Sequence, residues 1–292
     1  MPGAFGAPMA LYLCATPEQL KRWMPPIAAG RKLLAFAATE PDAGTDVKML
    51  RTTARRDGDH YVLNGSKIFI THGMRSDWAI VAARTGGPGA KGISLFMVDK
   101  EASPGWRVGK VLEKIGQHGL DTCEIFLDDV RVPAGNLLGE VEGKGFAGLI
   151  AGFVRERMTI GVTAVATAER AIELTLDHVK QRKMFGQTLW DFQNTRFKLA
   201  ECRTQAHAAR VFVDSLIQRL VAGDVPDEDE AAMAKLFCTE RQGWIIDECL
   251  QLFGGYGYMA EYPIAQLYMD ARVQRIYGGS NEIMKELIAR QL

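Results

Sequence analysis

The hydrophobic pattern of this chain changes period partway along, and that change limits its fold more than any other feature. Residues 31–140 carry short apolar runs at 51–55, 60–63, 67–70, 78–83, 93–98, 106–111 and 123–127, with Asp57-Gly58 and Asn64-Gly65 standing between runs as hairpin signals. Many short strands with regular turns make a compact barrel or sandwich. Residues 145–292 instead place small and apolar side chains at helical spacing, such as Ile160, Ala164, Ala168, Ala171 and Leu174. The pattern predicts long helices over 154–182 (ended by Gly186), 191–220 and 227–252, joined by short loops into an antiparallel bundle. Near the N-terminus, Thr16-Pro17-Glu18-Gln19 is a helix start, and Pro25-Pro26 is expected to stop or kink that helix. The expected architecture is α+β: a short helical segment over 1–35, a β-barrel-like domain over 36–140 and an antiparallel four-helix bundle over 141–292.

Composition narrows the function classes. With 292 residues there is room for two packed domains. Thirty-five basic and 35 acidic residues balance, so nothing points to nucleic acid or an anionic membrane surface. No apolar run is long enough to span a bilayer. The N-terminal stretch lacks a basic segment before its short apolar run and is not read as a signal peptide. Cys14, Cys123, Cys202, Cys238 and Cys249 show no CxxC spacing, which favours reduced thiols and a cytoplasmic setting. The histidines show no metal-binding spacing, and no metal is expected.

Four segments carry chemistry. Small residues, a proline and a glycine in Phe36-Ala37-Ala38-Thr39-Glu40-Pro41-Asp42-Ala43-Gly44-Thr45-Asp46 let backbone N–H groups and the hydroxyls of Thr39 and Thr45 approach a flat, phosphate-bearing ligand. An ordinary Pro/Gly turn would read the same way. In Lys67-Ile68-Phe69-Ile70-Thr71-His72-Gly73, a strand puts Phe69 and Thr71 on one face, an aromatic ring beside a hydroxyl. A buried strand face with a satisfied threonine is the alternative. Arg182-Lys183-Met184-Phe185-Gly186 with Phe192-Gln193, and Gln251-Leu252-Phe253-Gly254-Gly255-Tyr256-Gly257, combine glycines that permit close approach to a pyrophosphate with a guanidinium to pair with it. Helix caps use glycine too. No GxGxxG opens a helix after a strand, so this is not a Rossmann site.

These segments, in this order, resemble the FAD-dependent acyl-CoA dehydrogenases, and the resemblance runs over nearly the whole chain. It implies flavin contacts from Phe36, Ala38, Thr39, Gly44 and Thr45, and from Phe69 and Thr71 at the isoalloxazine. It also implies that Arg182, Phe185, Gln193, Gln251, Gly254 and Gly255 hold the adenine and pyrophosphate end of a neighbouring subunit's flavin, so that binding needs a homodimer or homotetramer. His72 stands where such proteins often carry Asn, and no role is assigned to it.

The reaction implied is oxidation of an acyl-CoA thioester at Cα–Cβ, in fatty-acid or branched-chain catabolism. A carboxylate in a dry site removes the Cα proton while hydride leaves Cβ for the flavin. Many family members carry the base near the C-terminus, after a Tyr and before Gly-Thr or Gly-Ser. This chain reads Ile276-Tyr277-Gly278-Gly279-Ser280-Asn281-Glu282, so the expected position is a glycine. Members resembling the long-chain and isovaleryl enzymes carry the base in a Glu-Arg pair at the start of the bundle, matched here by Arg155-Glu156-Arg157-Met158. Glu156 is therefore the expected base. Arg157, Tyr277 and Thr45 are the expected substrate contacts. The Gly278 N–H is expected at the thioester carbonyl, where losing such a donor costs about 3 kcal/mol of barrier. Ser280 and Glu282 at a helix start are expected near FAD.

The tail most resembles the long-chain type, which implies an electron-transfer flavoprotein as partner. Typical members carry a larger N-terminal helical domain, of which residues 1–35 could supply only the last part. Two other readings stay open: an oxygen-using acyl-CoA oxidase relative, and a non-catalytic subunit of a mixed oligomer.

Overall fold

The computed structural model describes residues 3–292, and their side chains from residue 6 onward. Met1 and Pro2, where the segment read for a leader begins, lie outside the described residues. The chain divides into two units: residues 1–114 with 118–152, and residues 115–117 with 153–292.

The first unit opens with helices α1 (Gly3–Cys14) and α2 (Pro17–Ala28). Thr16 and Gln19 form a reciprocal capping box at the start of α2, as the sequence predicts. Pro25 and Pro26 do not stop α2 where they stand. They lack N–H groups but keep their carbonyls, which accept from Ala29 at 3.0 Å and from Arg31 at 2.9 Å and so close the last turn.

A seven-stranded sheet follows: β1 (Leu34–Ala37), β2 (Thr53–Asp57), β3 (His60–Thr71), β4 (Trp78–Arg84), β5 (Ile93–Asp99), β6 (Trp106–Val111) and β7 (Thr122–Pro133). Its order is β1-β4-β2-β3-β7-β6, with β5 on β4. Ala79, Val81, Ala83, Phe96, Val98, Leu63, Ile125 and Val130 fill the core that the sheet curls around. Asp57-Gly58 starts a two-residue hairpin turn, with Asp57 opposite His60. Asn64-Gly65, read as a second turn, lies inside β3. The register slips there, and Gly65 adopts φ +152° where a Cβ would stand 2.8 Å from the Thr52 Cα. Two steps along β3, Leu63 to Gly65, face three along β7, Val130 to Leu127, so the extra residue of this bulge lies in β7.

The second unit is helical: the main part of α3 (Gly145–Gln181), then α4 (Gln193–Val221), α5 (Glu228–Gln251), α6 (Pro263–Ala271) and α7 (Asn281–Ala289). Ile160, Ala164, Ala168 and Ala171 are buried, as their spacing predicts. Half-buried Thr159, Thr163 and Thr167 donate their hydroxyls to carbonyls four residues back, so α3 packs them without orphaned polar atoms. Gly186 does not end α3, which stops at Gln181. With Phe185 it forms the turn of a hairpin between β8 (Lys183–Met184) and β9 (Gln187–Thr188). Both turn residues have positive φ, +50° and +80°, as a two-residue hairpin requires. No helix among the described residues is long and apolar enough to cross a membrane.

Replacing Gly65 by Ala is expected to cost about 3 kcal/mol, from crowding against Thr52 and a backbone conformation alanine avoids. Gly119→Ala, with open space around it, is expected to stay within about 0.5 kcal/mol. Denaturant unfolding of the two variants checks the difference.

Candidate active site

In the β unit, Glu40 and Ala43 pair backbone to backbone after β1 ends, each N–H donating to the other's carbonyl at 3.1 Å. The Glu40 side chain folds beneath this turn. Its carboxylate accepts from the Arg51 N–H at 2.6 Å, the Thr52 N–H at 3.0 Å and Lys67 Nζ at 2.7 Å. Lys67 is buried and also donates to the Ala38 carbonyl at 3.1 Å. Burial pulls its pKa down to about 8, against the opposing pull of Glu40. Burial pushes the Glu40 carboxyl upward, but the Lys67 charge and the N–H donors outweigh it and hold the group below its ordinary value. The Ile68 N–H donates to the Thr39 carbonyl at 3.0 Å. This pair therefore staples the loop of Ala38, Thr39, Gly44 and Thr45 to the part of β3 that carries Phe69 and Thr71.

Regular strand alternation does not hold at Phe69. The β3 register shifts between Lys67 and Ile70, and Phe69 sits at φ +59° with 64% of its surface exposed. A bulky aromatic in the left-handed region is strained, and such strain collects at ligand sites. Core residue Ile70 lies between Phe69 and half-buried Thr71, which leaves both of them away from the core. Phe36, Ala38 and Thr39 are half-buried, while Gly44 and Thr45 are exposed.

In the helical unit, Glu156 and Gly278 come together. Gly278 and Gly279 have φ +65° and +87°. A Cβ built on Gly278 would stand 2.6 Å from Ile160 Cδ1 and 3.9 Å from Glu156 Oε1. A side chain at position 278 would thus enter the space that the Glu156 carboxylate reaches from α3. Burial raises the Glu156 pKa above the usual carboxylate range, although Arg157 and Lys235 pull the other way. Tyr277 is beside this carboxylate. Its buried hydroxyl has no hydrogen-bond partner, and burial pushes its pKa up to about 12. Arg157 turns into the bundle, pairing with Glu228 at 3.0 Å and lying 5.4 Å over the Phe153 ring. Its Nε is buried and unbonded.

A second region of the same unit forms an open cleft of 590 Å³. Arg182, Gln251, Gly254 and Gly255 all line it, together with His178 and Tyr256. The Arg182 guanidinium lies 5.5 Å over the Tyr256 ring, and His178 stacks on Phe253 at 4.1 Å with a buried, unbonded Nε2. Gly254 has φ +58°, and no atom lies within 4 Å of where a Cβ would be on Gly254 or Gly255. A cation, open glycine backbone and an orphaned ring nitrogen suit a phosphate-bearing nucleotide, so these residues fit FAD. Phe185, 86% exposed at its hairpin tip, and Gln193, exposed at the first position of α4, are not among the walls of this cleft. Ser280 takes the N-cap position of α7 without a side-chain cap bond, and Glu282 lies in the first turn.

Several residues escaped the sequence reading. Glu40 and Lys67 form the buried pair just described. Lys235 donates to the Gly279 carbonyl at 2.6 Å and to Asn281 Oδ1 at 3.0 Å. Gln117, at φ +51°, donates its N–H to Asp270 and lies beside Tyr277. One signal was available: Lys235 interrupts the small and apolar run Ala231-Ala232-Met233-Ala234-Lys235-Leu236-Phe237 on a helix's inner face. A lysine there requires a buried partner.

A curled sheet followed by a helical bundle, with a shielded carboxylate on the first bundle helix, describes a class of flavin-linked thioester enzymes. Residues 35–130 match the family profile "Acyl-CoA dehydrogenase, middle domain", and residues 143–292 match "Acyl-CoA dehydrogenase, C-terminal domain". This chain belongs to the acyl-CoA dehydrogenase family, whose members are FAD-binding flavoproteins. It is 48% identical over 280 residues to the long-chain specific acyl-CoA dehydrogenase, mitochondrial, of Mus musculus, covering 95% of this chain and 64% of that protein. The acryloyl-CoA reductase (NADH) of Anaerotignum propionicum is 40% identical over 98% of this chain and 73% of its own length. Among solved structures, an acyl-CoA dehydrogenase from Geobacillus kaustophilus superposes with a TM-score of 0.92 at 44% identity, over 97% of this chain and 74% of that one. The chain spans somewhat under two thirds of the mouse relative's length.

Glu40→Ala should destabilise the β unit by about 3–5 kcal/mol, because it leaves the Lys67 ammonium buried without its counter-charge. The double change Glu40→Leu with Lys67→Met is expected to recover most of that loss. Urea titrations of the single and double variants measure both.

Proposed function

We propose that this protein catalyses FAD-dependent α,β-dehydrogenation of an acyl-CoA thioester to the trans-2-enoyl-CoA, with Glu156 as the base. The observation that carries this reading is the approach of Glu156 Oε1 to within 3.9 Å of the bare side-chain position at Gly278. A carboxylate arriving from α3 stands in for the one that relatives place after Tyr277. Bound FAD supplies the hydride acceptor.

The protein's own residues do the rest. Glu156, lifted above the usual carboxylate range by burial, takes the Cα proton more readily than an exposed glutamate does. The N–H of Gly278 needs no side chain to serve as a donor. Tyr277 closes the wall beside Glu156. Its unbonded hydroxyl and the spare Arg157 Nε are the polar atoms offered to substrate. Thr45, Phe36, Ala38, Thr39, Gly44, Phe69 and Thr71 are assigned to the flavin ring and its chain. Arg182, Gln251, Gly254 and Gly255, with Phe185, Gln193, Ser280 and Glu282, are assigned to its nucleotide end, which a second copy of the chain presents in a homodimer or homotetramer. Long or branched acyl chains are the proposed substrates, an electron-transfer flavoprotein the proposed acceptor and the cytoplasm the proposed compartment.

The relative named as an NADH-linked acryloyl-CoA reductase favours a second reading, in which the same residues serve the reverse reaction. NADH oxidation dependent on an enoyl-CoA, with no bleaching by the saturated thioester, would select it.

Anaerobic addition of a long-chain acyl-CoA should bleach the flavin band of the wild type. Glu156→Gln should keep the band and lose the bleaching by about 10³-fold or more in rate. Bleaching at the wild-type rate in that variant would overturn the assignment. The base works deprotonated, so the rate should fall as pH drops through the raised Glu156 pKa, above the 4.5 of an ordinary glutamate. Arg182→Met should weaken ADP binding about tenfold in an equilibrium titration, by removing the phosphate's charge partner.

A further inference from the structure

Lys235 has no exposed surface, yet none of the proposed chemical steps uses it. It sits on α5 among buried Ala231, Ala234 and Cys238. Its Nζ donates to the Gly279 carbonyl at 2.6 Å and to Asn281 Oδ1 at 3.0 Å. Asn281 is held in turn, donating through Nδ2 to Glu240 at 2.8 Å and to Thr239 Oγ1 at 3.1 Å. Arg275 extends the chain, 3.7 Å from the other Glu240 oxygen. Its guanidinium crosses α5 where Gly243 leaves room, since a Cβ there would stand 1.5 Å from Nη2. A single apolar replacement would strand the Gly279 carbonyl and Asn281 Oδ1 that this ammonium satisfies. Its bond goes to the second of two consecutive residues with left-handed φ, beside the Glu156 carboxylate.

We infer that Lys235 is a positioning residue: by tying Gly279 and Asn281 to α5 it fixes the 277–279 turn against Glu156. The hold on the turn stands on the hydrogen bonds, while its bearing on catalysis rests on the dehydrogenase reading above. Glu156 is faced by Arg157 from its own helix, by Lys235 from α5 and by the Tyr277 hydroxyl. Lys235 is faced by Arg157 and Glu156 from α3, Glu240 from its own helix and Glu282 from α7. Without Lys235, burial of Glu156 is less opposed and the carboxylate binds its proton more tightly.

The test compares FAD-loaded wild type with Lys235→Met by hydrogen exchange of the 277–282 amides and by the pH dependence of flavin reduction with a long-chain acyl-CoA. The variant should exchange these amides about tenfold faster or more. It should reduce flavin about tenfold more slowly or worse, with the acid limb moved to higher pH. Unchanged exchange overturns the positioning role whatever the reaction does. A loosened turn with an unmoved acid limb overturns the role of the charge. If wild-type flavin is not reduced at all, the dehydrogenase reading fails while the exchange comparison still decides the hold on the turn. Should Lys235→Met fail to fold, Lys235→Gln keeps a donor for Gly279 and removes the charge. Its exchange should stay near wild type and its acid limb should rise; faster exchange there overturns the hold on the turn, and an unmoved limb overturns the role of the charge.

Discussion

A carboxylate can act on a weakly acidic C–H only if water is kept from it. In this chain Glu156 is withdrawn into a helical bundle whose first helix is lined with alanine, glycine and threonine. Those small residues let α3 pack closely: a Cβ on Gly161 would stand 3.6 Å from the Ala234 carbonyl of α5. Close packing excludes solvent, and exclusion of solvent raises the pKa of Glu156. Charge works in the other direction, since Arg157 and Lys235 pull the Glu156 pKa back down. The balance between burial and two nearby cations is what the bundle provides for the proposed chemistry.

Both units fasten a loop with a buried lysine. Lys67 ties the Ala38 carbonyl and Glu40 beneath the loop that follows β1, and Lys235 ties Gly279 and Asn281 beneath the turn that precedes α7. In one unit the neighbouring backbone is strained, with Phe69 at φ +59°, and in the other it takes the left-handed turn that glycine allows, with Gly278 and Gly279 at φ +65° and +87°. Strained backbone persists only where its surroundings over-determine it. An ammonium bonded to a carbonyl and a side-chain oxygen does this with two directional bonds, which an apolar contact cannot supply.

Where the sequence misled, the cause was the same each time. Asn64-Gly65, Gly186 and Pro25-Pro26 were read as local punctuation, and each has more than one structural use. Asn64-Gly65 continues β3 instead of turning, because β7 pairs with β3 on both sides of it across a bulge whose extra residue lies in β7. Gly186 ends a helix in some settings, but here Lys183 and Met184 find partners in Thr188 and Gln187, so it turns a hairpin. The prolines of α2 fall in its last turn: each removes one N–H donor, but their carbonyls still accept from Ala29 and Arg31, so the helix closes just beyond them.

Periodicity alone determined the two-part architecture, because burying one face of a strand or a helix imposes its repeat on the sequence wherever the element lies. The order and spacing of the motifs also marked Glu156 and the glycine-rich segments as candidates. Composition could not reveal that Glu156 and Ile160 converge on the side-chain position of Gly278, or that Arg182, Gln251, Gly254 and Gly255 share one cleft. Those residues are far apart in the chain, and only packing brings them together. The buried lysines were decided the same way: the apolar run around Lys235 hints that it is enclosed, but which carbonyls and carboxylates meet a buried lysine depends on what the fold delivers to it.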